Sequence, residues 1–75
     1  MSRQELLKKY KNKICVFYQG ENGEVKIKWF TKLSKCFDFC QSGVKVQSIV
    51  NLKLVKREEH IVDFLDSLLF EDYEL

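Results

Sequence analysis

The run Ile14-Cys15-Val16-Phe17-Tyr18 is apolar at every position and rich in β-branched and aromatic side chains. Such a run, apolar on both faces, predicts a central β-strand. Gly20-Glu21-Asn22-Gly23 follows as a turn. The next segment alternates: Val25, Ile27 and Trp29 share one face of a second strand, and Lys26 and Lys28 share the other. The two strands therefore read as a hairpin. Phe30 breaks the pattern, because it lands on the lysine face.

Helices are predicted on either side of this hairpin. Ser2 and Glu5 fit a capping box, with Leu6, Leu7 and Tyr10 as a narrow apolar stripe and Lys8, Lys9, Lys11 and Lys13 toward the C-terminal end. Thr31 is placed to cap a second helix over residues 32–42. There Leu33, Cys36, Phe37 and Cys40 follow helical spacing and Gly43 suits the position after the end. On that phase Phe39 faces solvent. Residues 44–55 read as one long strand, with Val44, Val46, Val50, Leu52 and Leu54 on one face and Lys45, Gln47, Ile49, Asn51 and Lys53 on the other. Residues 58–70 read as a last helix whose core stripe is Ile61, Val62, Leu65, Leu68 and Leu69. Asp63, Asp66, Phe70 and Glu74 gather on its far side.

The expected fold is a single α+β domain over residues 1–75, with element order α-β-β-α-β-α. A helical crossover makes the second and third strands parallel in direction. With the first strand between them, the sheet has order 2-1-3 and is antiparallel throughout. This element order is similar to the small hybrid-binding module found ahead of some ribonuclease H domains, a likeness of topology alone. On that arrangement the helices cover one sheet face and leave the other open. The open face would carry Lys26, Lys28, Phe30, Lys45, Gln47, Ile49, Asn51 and Lys53. The alternative is that the N-terminal helix covers it.

Seventy-five residues leave little room for a deep cleft. No phosphate-cradling glycine loop is present, and the single histidine, His60, sits among Glu58, Glu59 and Asp63 as a solvated residue. No catalytic residue, cofactor or metal is expected. The set Cys15, Cys36, Cys40 and His60 has the ligand count of a zinc site, but its spacing matches no finger or ribbon. Cys36 and Cys40 are expected to be buried and reduced. The N-terminal residues lack the apolar core of a signal peptide, and no uncharged stretch is long enough to span a bilayer. A cytoplasmic protein without membrane contact is expected.

Charge is sorted along the chain. Every Lys and Arg lies at or before Arg57, opposed there only by Glu5, Glu21, Glu24 and Asp38. All other acids follow, so a net charge of +2 conceals a basic body and an acidic end. The chain has no alanine or proline and far more Lys than Arg, a composition common in small proteins of AT-rich phages and mobile elements.

These features predict a small non-enzymatic protein that binds and modulates a larger protein or protein–nucleic-acid complex. Its most concrete form is a phage or mobile-element protein acting against a host factor such as an immune nuclease. The contact residues expected for this role are Phe39, Asp63, Asp66, Phe70 and Glu74, with a homo-oligomer as a second possibility. A rival reading is a single-stranded nucleic-acid module, in which Lys26, Lys28, Lys45 and Lys53 neutralise phosphates and Phe30 stacks on bases. The same face also suits a protein, with Phe30, Ile49 and Phe17 as an apolar centre inside a lysine rim. A structural subunit of a larger assembly is the third reading.

Overall fold

The computed structural model describes residues 2–75. The elements are α1 (Arg3–Tyr10), β1 (Ile14–Gln19), β2 (Val25–Phe30), α2 (Leu33–Cys40), β3 (Lys45–Asn51), a 3₁₀ turn (Leu52–Leu54) and α3 (Glu58–Phe70). The sheet has order β2-β1-β3 and both pairings are antiparallel, the α+β arrangement expected. Local chemistry sets several boundaries. Ser2 Oγ accepts the Glu5 N–H at 3.2 Å and starts α1. Gly23, at φ 82°, lets the hairpin reverse where a side chain would be strained.

The helices do not share one face, and this corrects the expectation of an open sheet. On one side α1 and α3 bury Leu6, Tyr10, Leu52, Ile61, Leu65 and Leu68 against Phe17, Ile27, Trp29 and Val50. On the other, α2 buries Ile14, Val16 and Cys36, with Phe30, Phe39, Cys40 and Val46 packed around them. The physical reason lies in β1. Ile14 and Val16 point away from α1 and α3, and leaving either in water would forfeit about 1.5–3 kcal/mol. A second layer is the only way to dry them.

Cross-strand partners share a face, so the register assigns every side chain. Val16 lies opposite Lys28, and Ile14 opposite Phe30, on the α2 side. Trp29 lies opposite Cys15 on the side of α1 and α3, where its ring meets Tyr10 at 4.4 Å between centroids. In β3 the register slips, with Phe17 opposite Ser48 but Tyr18 opposite Val46. Gln47 is the extra residue of a β-bulge, so Val46 and Val50 face opposite layers rather than the same one. The strand also stops at Asn51, whose side chain accepts the Lys53 N–H at 3.0 Å and turns the chain so that Leu52 plugs the main core.

Two helices are rotated from the expected phase. In α2, Phe37 is exposed and Phe39 faces the sheet. In α3, Phe64 packs inward with its ring edge-on to Phe17, while Leu69 turns outward. The end of α3 is a Schellman motif: Asp72 N–H donates to the Leu69 carbonyl at 3.1 Å and Tyr73 N–H to the Leu68 carbonyl at 3.0 Å. Asp72 adopts φ 66° to allow it, and Tyr73 returns against Phe17.

Candidate interaction surface

The sheet lysines do not lie together on one open face. Phe30, the intended stacking ring, packs against Phe39 with centroids 5.4 Å apart. Lys28 Nζ lies 4.8 Å from the Phe39 centroid and 5.6 Å from that of Phe30, so its charge sits over rings the protein has already paired. Lys26 reaches Glu24 at 3.6 Å. Lys45 lies opposite Gln19, which places it on the α1 and α3 side, away from Lys26 and Lys28. Lys53 belongs to the 3₁₀ turn, and its Nζ donates to the Thr31 carbonyl at the foot of α2.

The acidic group on α3 is also more dispersed than its spacing suggests. Asp63 is exposed, but Asp66 is half-buried and accepts from Arg3 of α1 at 2.8 Å. The expectation that Asp66 points freely outward is therefore corrected: α1 packs beside α3 and supplies the counter-charge. Glu74 lies past the helix end, because the chain turns at Asp72. Phe70 stands clear of the core at 89% exposure. Phe39, expected outside, instead fills the space over Phe30 and Tyr18, with the Tyr18 ring 5.0 Å away and edge-on.

Rotating α2 brings a different group to the surface. Cys36 points down into the sheet, and Phe39 leans toward β2. At 100° per residue, Leu33 and Phe37, four residues apart, fall together on the opposite flank, facing away from β2. The residues of β3 on the α2 side of the sheet include Ile49, opposite Val16, and Val46, opposite Tyr18. Leu33 is 49% exposed, Phe37 53% and Ile49 46%. Among the described residues, the outer edge of β3 has no strand partner. An apolar flank beside an unpaired strand edge is the usual form of a binding groove, both for added strands and for side-chain anchors. Sequence periodicity hid this flank, because Leu33 and Phe37 were assigned to the core. Only Ile49 was legible, as an apolar residue among polar ones.

The cysteines are divided by the sheet. Cys15 lies under α1 and α3, whereas Cys36 and Cys40 belong to α2 and face the other side of the sheet. Among the described residues no three His, Cys, Asp or Glu side chains converge to hold a metal. Burial pushes the Cys15 thiol up to about 12, and desolvation, reinforced by neighbouring Cys40, raises that of Cys36. Cys40 is only half-buried, which corrects the expectation that both helical cysteines are shielded. A thiolate is the reactive form. In the native protein at pH 8, a thiol reagent is expected to label Cys40 first, with Cys15 and Cys36 reacting only after denaturation. Mass mapping that finds Cys15 labelled as fast as Cys40 would refute this burial pattern.

A shallow depression of about 330 Å³ lies between α1 and the start of α3, lined by Gln4, Leu7, Lys8, Lys11 and Glu58. It contains no nucleophile paired with a base. Among the described residues, no helix is long and apolar enough to cross a membrane. No protein-family model matches the chain, and neither a curated protein nor a solved structure is detectably similar to it.

Proposed function

We propose that this chain is a small non-enzymatic binding protein that modulates a larger macromolecular partner, and that the α2–β3 flank is its principal contact surface. One observation carries the reading: Leu33 and Phe37, neighbours one turn apart on α2, stand about half exposed, and the half-exposed Ile49 of the edge strand β3 lies on the same side of the sheet. Exposed apolar side chains grouped in this way cost solubility, and such patches mark interaction sites. The alanine- and proline-free composition favours a phage or mobile-element origin. On that origin the partner is a factor of the host cytoplasm, such as an immune nuclease. Phe70 and Asp63 offer a second, acidic contact.

Affinity capture from host lysate, with and without added nuclease, tests the proposal. Phe37→Asp removes the central ring of the flank while leaving the buried residues untouched. Truncating a hot-spot anchor costs about 2 kcal/mol or more, a thirtyfold loss of affinity. A protein partner held by the wild type and lost with Phe37→Asp is expected. Equal retention by a folded Phe37→Asp variant would exclude the flank, and capture abolished by nuclease would favour nucleic acid.

A further inference from the structure

Among the described residues, Phe70 is the most exposed large apolar side chain, at 89%. It does not belong to a frayed tail. The Schellman hydrogen bonds after Phe70 and the packing of Tyr73 on Phe17 hold the last turn of α3 in place. The ring is thus presented on an ordered helix end, followed immediately by Glu71, Asp72 and Glu74. The α2–β3 flank is its chemical complement. Leu33, Phe37 and Ile49 supply an apolar seat, and Lys53, tied to the Thr31 carbonyl, stands with Lys32 at the foot of α2. An aromatic knob bordered by acids and an apolar seat bordered by lysines are the two halves of one interface, both carried by the same chain.

We propose that the occupant of the flank is the Phe70 end of a second copy, so that the protein self-associates head to tail. This rests on the flank being a binding surface and adds what fills it. Knob and seat lie on opposite layers of the sheet, α3 on one face and α2 on the other. With knob and seat on opposite layers, one pair cannot engage both contacts at once, so each added copy leaves one knob and one seat free unless a ring closes. Assembly therefore grows with concentration and masks the flank. Dilution, or a partner with a better anchor, releases it.

Sedimentation equilibrium on the full chain, up to about 1 mM so that contacts as weak as ~4 kcal/mol register, tests this with no foreign partner. Phe70→Asp destroys the knob and keeps the seat, and Phe37→Asp does the reverse. The wild-type average mass is expected to rise past twice the 9.0 kDa monomer. Each variant alone should remain monomeric. An equimolar mixture of the two has one intact knob and one intact seat, and should stop at a 1:1 dimer. Leu33→Asp replaces Phe37→Asp if the latter fails to fold by circular dichroism. A wild type that stays monomeric, a Phe70→Asp variant that assembles like wild type, or a mixture that stays monomeric would each overturn the proposal. Because capture from lysate uses dilute protein, loss of self-association leaves the partner-binding reading standing, and the two failures are distinguishable.

Discussion

Val16→Asp is expected to unfold the protein at room temperature. Val16 has no exposed surface and sits between Lys28 of β2 and Ile49 of β3, beneath α2. A carboxylate there loses its hydration among Ile14 and Cys36, and its one cationic neighbour, Lys28, has its Nζ held over the Phe39 and Phe30 rings. Desolvating the charge costs several kcal/mol after relaxation, more than a cross-strand lysine returns, and the burial of the valine is lost as well. A domain of this length has a total stability of about 4–11 kcal/mol, at roughly 0.05–0.15 kcal/mol per residue. The substitution therefore removes most or all of it. On an open lysine-bearing sheet face, the same aspartate would have sat among Lys26 and Lys28 and been tolerated. Circular dichroism with a thermal melt decides: a cooperative transition near that of the wild type would mean that α2 does not cover Val16.

Phe39→Ala should destabilise the protein by about 1.5–3 kcal/mol, below the ~3–5 kcal/mol of a fully enclosed phenylalanine because the ring is only half-buried. The loss has three parts: the ring's contact with Phe30, its edge-on contact with Tyr18, and the cover it gives Lys28 Nζ. For a domain of this size, 1 kcal/mol corresponds to about 4–8 °C in Tm, so a fall on the order of 10 °C is expected. Phe37→Ala, two residues away and 53% exposed, should shift Tm by no more than about 0.5 kcal/mol allows. The contrast separates the two phases of α2 within one experiment. A larger fall with Phe37→Ala would reverse the assignment and remove the flank with it.

The order of the elements, the hairpin, the antiparallel 2-1-3 sheet and the span of α3 were all legible in the sequence. Each rested on a strong local signal: the apolar run of β1, the alternation of β2, the turn glycines, and a long apolar pattern in α3. The phase of α2 was not. A helix of two turns offers two overlapping stripes, one through Leu33 and Phe37 and one through Phe39, and both include Cys36 and Cys40. Periodicity cannot choose between them. The choice is made by tertiary packing, because Phe30 stands on a face that otherwise carries lysines. Phe30 and Phe39 each looked misplaced alone; together they are one contact. The bulge at Gln47 was likewise invisible, since an extra residue shifts the register without changing composition. The Asp66 pairing with Arg3 spans nearly the whole chain, and no local pattern could announce it. Those three features relocated the candidate site from the lysine face and the acidic helix to the α2–β3 flank.

The central claim is that α2 lies over the second sheet face with Phe39 inward and Phe37 outward. Nuclear Overhauser spectroscopy on the selectively labelled phenylalanines reads this directly. Cross-peaks from the Phe39 ring to the Tyr18 and Phe30 rings are expected, from centroids 5.0 and 5.4 Å away, with none from Phe37 to those rings. Cross-peaks from Phe37 to Tyr18 and Phe30, with Phe39 silent, would contradict the account.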